Sequence, residues 1–556
     1  MPLMGSYYIG VSGLQTSQNA LNTTAHNLSN IETTGYTRQQ TLLEDKFYNT
    51  VGNGSVSIKQ TGLGVEYAEV RQVRDAFLDL SYREEAGRKS FYDVAYETTS
   101  EIETLLGEME GASFNTSITN FWTSVQELQK DPSSPVVQGQ FVTTGLQFLE
   151  RAQAVYEGLN TFQNNLNQRV YDMVTQINEY GNQIRQLNDA IMRTEIGVED
   201  ANDIRDARNL VLDKLSGLCD ISYSEDIEGV VQVSIEGVPF VARDMVFEMG
   251  TRIDAGTGFY TPTWPWNDNV DVYDINKEIS SDLDTDVGEL RSALVMRGDR
   301  RANYTDLDET KFSKGYKDSF GIERIATDKS VILTTQAELD NLVNKIATTI
   351  NDILCSEQGK DPSQRYYENK DDIPTELFER LGLDSRYEYH AADGGAHPVN
   401  AWYYVEEDTS KAPSDVGSMY TLSNLKINPD LLKEPTILSF LTADKQVDQY
   451  KADALAKAFQ EPFGALNPSN NKEYSFTDYY DAMVAQVGNV GYVYGTIADS
   501  QGATVNSLEN ARQGVVGVSS NEELSNMIKF QNAYNAASRY INAVDAMLAH
   551  LIEKLA

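Results

Sequence analysis

The apolar positions near the C-terminus repeat in a way that suits a helix with one sticky face. Met527, Tyr534, Ile541, Leu548 and Leu555 recur every seven residues, and Phe530, Ala537, Val544 and Leu551 follow the first four by three. That alternation is the a and d pattern of a coiled-coil seam. Ser520 with Glu523 has the spacing of a capping box, and Glu522 adds negative charge to the first turn, so the helix is predicted to start there. Residues 5 to 31 carry a second, thinner stripe. Tyr7, Leu14, Leu21 and Leu28 recur every seven, with Val11, Ala25 and Ile31 beside them, while Ser17, Gln18 and Thr24 interrupt. This helix gives out near Asn30, and Thr33-Thr34-Gly35 signals a turn.

Between the ends the texture changes several times. Short strand-like pieces punctuated by Gly52, Gly54, Gly62 and Gly64 follow the first helix. Residues 90 to 192 read as helix, broken at Asp131-Pro132-Ser133-Ser134-Pro135. Val170, Ile177, Ile184 and Ile191 form one heptad series there, and Leu159, Leu166, Met173, Tyr180 and Leu187 another. The stretch 156 to 192 alone predicts a rod ~60 Å long. Val230 to Gly237 alternates like a hairpin strand, residues 288 to 298 read as a further strand, and 333 to 357 return to helix. More helix is predicted at 444 to 459 and 477 to 489. The expected fold class is α+β and multidomain. Residues 1–74 and 512–556 form one terminal helical domain from both ends. A helical rod spans 75–360, with a β-rich part at about 220–298. A β-rich outer insertion spans 361–422, and 423–511 return through the rod.

A lone helix with a narrow apolar stripe cannot offset its ordering entropy, so each end needs a partner. The simplest is the other end, and the next is a neighbouring subunit. The ends are therefore expected to be frayed in a lone chain and to order as it assembles.

The net charge of −38 repels phosphate backbones and anionic headgroups, which argues against nucleic-acid binding and against membrane attachment. No apolar run is long enough for membrane insertion, and the first residues lack the pattern of a cleaved secretory signal. The two cysteines, Cys219 and Cys355, sit in apolar contexts and read as buried small hydrophobes.

Candidate chemistry is sparse. His390 and His397 flank Asp393, but their spacing fits no helical or finger-type metal pattern, so a surface loop is the preferred reading. His26 and His550 lie on the terminal helices. Asp282-Leu283-Asp284-Thr285-Asp286 starts like a calcium loop, yet Val287 stands where glycine is needed and Ala293 where glutamate is needed. It reads as a solvated acidic loop. No phosphate loop, serine elbow or zinc-protease helix occurs. No catalytic residue, cofactor or metal ligand is assigned, and the chain reads as a non-enzyme. Asn27 and Asn30 read mainly as caps of the first helix, with Gly35 supplying the left-handed turn.

Ala25-His26-Asn27-Leu28-Ser29-Asn30-Ile31-Glu32-Thr33-Thr34-Gly35-Tyr36-Thr37-Arg38-Gln39 resembles the N-terminal signature of bacterial flagellar axial proteins, the rod, hook and hook-associated proteins. Gly517-Val518, Glu522-Glu523, Gln531-Asn532-Ala533-Tyr534 and Ala543-Val544-Asp545-Ala546-Met547-Leu548 resemble their C-terminal signature. Gly62-Leu63-Gly64-Val65, Arg74-Asp75-Ala76-Phe77-Leu78, Asn120-Phe121-Trp122 and Ala201-Asn202-Asp203-Ile204-Arg205-Asp206-Ala207-Arg208 resemble the subgroup standing between hook and filament. The resemblance implies a structural subunit whose paired terminal helices form an inner tube. It implies export through the flagellar type III channel without signal cleavage, so an extracellular place on the flagellum. Its implied partners are copies of itself, hook protein, a second hook–filament junction protein, and an export chaperone at the C-terminal region.

On that reading the assembly interface is Leu14, Leu21, Asn27, Leu28, Asn30, Gly35 and Tyr36 with Met527, Phe530, Gln531, Tyr534, Ile541, Val544, Leu548, Leu551 and Leu555. Two rivals remain: another axial subunit of hook or rod, and an adhesin carried by the aromatic-rich 361–422 region (Tyr366, Tyr367, Tyr387, Tyr389, Trp402, Tyr403, Tyr404).

Overall fold

The computed structural model describes residues 3–53, 58–107, 113–197, 200–318, 321–355, 366–370, 373–382, 386–393, 395, 397, 399–404, 419–438, 440 and 446–555. It is an α+β multidomain chain dominated by long helices. Helix α1 (Leu3–Ser29) opens it. Strand β1 (Gln39–Asp45) then pairs antiparallel with β4 (Val65–Gln72), and the inner hairpin of β2 (Tyr48–Asn53) and β3 (Ile58–Gly62) prolongs that ribbon, which packs along α1.

The rod follows as α2 (Ala76–Gly107), α3 (Phe114–Lys130), α4 (Pro135–Glu195) and α5 (Asn202–Leu218). The 61 residues of α4 make a rod ~90 Å long. Proline suits the first helical position, because the N–H it lacks there would have no partner anyway. The break at Asp131–Pro135 is thus the corner between α3 and α4. Both sequence heptads turn inward. Val170, Ile177, Ile184 and Ile191 have no exposed surface, Leu159, Leu166 and Met173 are buried, and Tyr180 and Leu187 are partly so.

Two three-stranded antiparallel sheets lie beyond α5. The first runs β5 (Ile221–Glu225), β6 (Val231–Ile235), β7 (Val238–Val241); the second is β8 (Gly250–Ile253), β9 (Tyr260–Trp264), β10 (Val270–Asp271), with β9 central. Helices α6 (Glu289–Arg297), α7 (Glu309–Lys314) and α8 (Val331–Leu354) follow, then α9 (Pro429–Lys433), α10 (Gln449–Gln460), α11 (Phe476–Val516) and α12 (Ser520–Leu555). Residues 288 to 298 are therefore not a strand. All of Leu290–Arg297 is buried, so the run has no polar face, and a short helix buried all round has the same pattern as a buried strand. Predicted helix 477 to 489 is only the base of α11.

Two cores share α4. Its first half packs with α3, α8, α10 and the base of α11 around Phe114, Phe121, Phe141, Phe148 and Phe459. Its second half packs with α5, α6 and the two sheets around Leu212, Val233, Phe240 and Trp264. Within 361–422, Leu377, Phe378, Tyr420 and Leu422 belong to the first core, which anchors that insertion in the rod. Of its aromatics, Tyr387 and Tyr403 are buried and Tyr366 and Tyr389 exposed; the side chain of Tyr404 lies outside the described residues.

Candidate functional site

Helices α1 and α12 pack against each other within one chain, so each end is the other's first partner. The face that α1 buries is not its leucine stripe. Gly10, Ser17, Ala20, Thr24 and Asn27 are buried and Gly13 half-buried, spaced alternately by three and four. A Cβ on Gly10 would stand 2.7 Å from Ile541, and one on Gly13 would touch Ala537 at 3.7 Å. Hydroxyls can be buried here because each bonds back to its own helix: Ser17 Oγ donates to Gly13 O (2.7 Å) and Thr24 Oγ1 to Ala20 O (2.9 Å). A second buried line, Ser12 and Thr16, faces the ribbon, where Gly64 comes close to Ser12. Of the residues that interrupt the leucine heptad, Ser17 and Thr24 lie in the seam and Gln18 is exposed.

The displaced leucines, Leu14, Leu21 and Leu28, end up half-buried. On α12, Val544 is buried; Met527, Phe530, Tyr534, Ile541 and Leu548 are half-buried; Gln531 and Leu551 are exposed. The side chain of Leu555 lies outside the described residues. The pair also leaves Tyr8, Leu524 and Tyr540 open, and Ile528, Met547 and Ile552 are 59%, 58% and 64% exposed. These large apolar side chains stand open on the two helices.

The base of the pair meets the rod in a polar joint. Helix α1 stops where Asn30 N–H closes on the carbonyls of His26 and Asn27, and Gly35 (φ +80) turns the chain against Leu210 of α5. Asn27 is 1% exposed, so its contacts lie within the chain. Its Oδ1 accepts from the Tyr36 hydroxyl (2.7 Å) and Gln39 N–H (3.0 Å), and its amide donates to Gln39 O and to Glu523 (3.2 Å). Asn30 donates to His26 O (3.0 Å), and His26 Nδ1 lies 3.0 Å from the Tyr36 hydroxyl.

Arg38 reaches the start of α12, with Nε 2.9 Å from Glu523 and Nη1 3.1 Å from Glu522. The expected capping box is thereby corrected. Ser519, not Ser520, stands at the cap, its carbonyl accepting from Glu523 N–H, and the Glu523 carboxylate is taken by Arg38 and Asn27.

On the rod side, Asp206 of α5 accepts from Thr37 N–H (2.9 Å) and the Gln72 amide (2.7 Å), with Arg74 at 3.6 Å. Arg74 pairs with Asp79, and Asp213 takes both Arg83 and Arg512 (2.7 Å each). The joint thus links α2, α5 and the end of α11 by ion pairs, and brings in α1 and α12 through Asn27, Arg38 and the Thr37 N–H. Burial pushes the Asp206 carboxyl up to about 6 against the pull of Thr37 and Arg74. Burial, with Asp203, Asp206 and Glu523 nearby, also raises the Tyr36 hydroxyl, which stays a donor. A cleft of about 320 Å³ runs beside them, between His26, Tyr36, Asp203, Asp206 and Leu210. Arg38 and Asp206 stand in the quoted motifs, but their partners, Glu523 for the first and Thr37 and Gln72 for the second, lie far off in sequence, which no local pattern announces.

The other sequence candidates resolve differently. Asp286 is buried and bound by Arg88, Tyr92 and Ser281, and Asp284 also pairs with Arg88, so the acidic loop is docked on α2 at its end while residues 281–284 stay exposed. The rings of His390 and His397 stack 4.0 Å apart instead of converging on a point, with Asp393 3.1 Å from His397 Nδ1. Cys219 and Cys355 are buried, unbridged thiols whose burial pushes them well up. No helix among the described residues is long and apolar enough to cross a membrane.

Family models match three stretches of the chain. That of the flagellar hook-associated protein FlgK helical domain matches residues 99–363, that of the flagella basal body rod protein residues 8–37, and that of the flagellar basal body rod FlgEFG protein C-terminal residues 512–553. Flagellar hook-associated protein 1 of Bacillus subtilis is 26% identical, over 99% of this chain and 98% of that one. Its Escherichia coli counterpart is 24% identical, over 98% of both. The solved flagellar hook junction protein FlgK from Burkholderia pseudomallei shares the fold, with a TM-score of 0.53 at 12% identity, covering 78% of this chain and 100% of that one.

Proposed function

The chain belongs to the flagellar hook-associated protein 1 family, and from that premise we propose that it is a structural subunit joining hook to filament, polymerising through its paired terminal helices. The observation that carries the mechanism is the division of labour on those helices. Small residues make the intrachain seam, and Leu14, Leu21, Leu28, Ile528, Met547 and Ile552 are left at its flanks. Burying six such side chains between copies contributes on the order of 10 kcal/mol before ordering costs. The joint then fixes how rod and outer elements stand on the helix pair.

The partners follow from the same reading: further copies of this chain, hook protein on one side and a second junction protein on the other. An export chaperone would cover the exposed flank of α12 before assembly, and export would proceed without cleavage of a signal. The role is structural rather than enzymatic. The hook-or-rod alternative is less favoured, because the helical-domain match over residues 99–363 is to the hook-associated type.

Deleting residues 1–40 or 520–556 tests the proposal in a flagellated cell that lacks its own copy. Either deletion should leave a protease-resistant rod and no attached filament. Normal filaments with either deletion would rule the mechanism out.

A further inference from the structure

Glu338 lies on α8 with no surface open to water. Its Oε1 accepts from Asn467 Nδ2 (2.7 Å), on the connection between α10 and α11, and from Gln486 Nε2 (2.9 Å), on α11. Those two amides also bond each other (3.1 Å). Its Oε2 has no hydrogen-bond partner among the described residues. One carboxylate oxygen is therefore doubly satisfied and the other bare, in a place water does not reach.

The titratable neighbour is Tyr479 of α11, whose hydroxyl donates to Leu466 O (3.0 Å) and accepts from Asn341 of α8 (3.2 Å). Gln486 and Leu466 also line a groove of about 880 Å³ over α11. Of the charged groups of that groove, Asp478 is engaged by Ser475, Asp481 by Asn115, Lys472 lies over the Tyr474 ring, and Glu473 is exposed to water.

We propose that Glu338 is a proton-operated clamp, holding the base of α11 and the connection before it against α8 when protonated and loosening both when ionised. A proton on Oε2 removes the unsolvated charge while Oε1 keeps both amide bonds. Ionisation leaves a negative charge answered by two neutral donors alone, and buried charge without a cation is costly. Burial pushes this carboxyl up to about 7 against the two amides. A carboxyl raised in the folded state contributes stability that is full below its unfolded value and is lost as pH rises through the folded one. The window is therefore about pH 4.5 to 7. The role is independent of any filament contact.

Amide hydrogen exchange of the full chain, corrected for intrinsic rates, tests the clamp across residues 461–490. Between pH 5 and pH 8 protection there should fall on the order of a hundredfold in the native sequence, and Glu338→Gln should abolish the fall. An equal fall in Glu338→Gln would overturn the proposal. Should that variant fail to fold, Gln486→Leu, which removes a donor that favours ionisation, should move the fall to higher pH. An unmoved window in Gln486→Leu would likewise overturn it.

Discussion

Gly10 and Glu523 set the geometry of the paired ends from opposite directions, one by leaving space and one by filling a charge. A valine at position 10 would drive its side chain into Ile541, whose Cγ1 already lies 2.7 Å from the Cβ position. Such overpacking costs about 1–3 kcal/mol. Gly10→Val should therefore lower the melting temperature of the terminal helices, followed by circular dichroism, with the rod's transition unmoved. Glu523 is 2% exposed and answers both Arg38 and Asn27. Removing one partner of a buried pair costs up to about 3–5 kcal/mol, and about half that is expected here because Arg38 is partly solvated. Glu523→Ala should speed amide exchange in the first turns of α12 and in residues 30–39. Unchanged exchange at both would show that the pair is ornamental. The sequence pattern put leucines on this seam. It could not do otherwise, because a buried line of Gly, Ser, Ala and Thr carries no hydrophobic signal, and the hydroxyls that allow it bond to carbonyls no pattern displays.

Long helices were the legible elements, short buried ones were not. Both heptads of α4 lie where their spacing puts them, since a long helix with one apolar face leaves a repeating record. Helix α6 leaves none, because it is buried all round. The joint between α1, α12 and α5 was visible only as motif resemblance, its ion pairs joining residues up to 485 positions apart, as Arg38 and Glu523 are. Its acid response can be worked out. Asp206 is raised from 3.8 to about 6, so its contribution to the joint is greatest below pH 3.8 and is lost as pH rises through about 6. Asp206→Asn should flatten the pH dependence of amide exchange in residues 30–39 between pH 4 and 6. Equal slopes in the two proteins would mean that Asp206 does not set it.

Across the whole molecule, charge and apolar surface are kept apart. Helix α1 contains no Asp, Glu, Lys or Arg, and α12 sets Lys529, Arg539 and Lys554 against Glu522, Glu523, Asp545 and Glu553. The −38 of the chain therefore sits on the rod and outer elements. Copies can bring their terminal helices together without like-charge contact, while the outer parts repel one another until salt screens them. Raising ionic strength from 0.01 to 0.1 M shortens the screening length from about 30 to about 10 Å. Self-association measured by sedimentation should strengthen over that range; weakening would place charged pairs, not apolar flanks, at the contact. The most direct measurement replaces those flanks alone, with Ile528→Asp and Met547→Asp together in the full chain, expressed in a flagellated cell without its own copy. The purified variant should keep the native circular dichroism and melting, while electron microscopy shows hooks without filaments. Folded variant chains on cells with normal filaments would contradict the account.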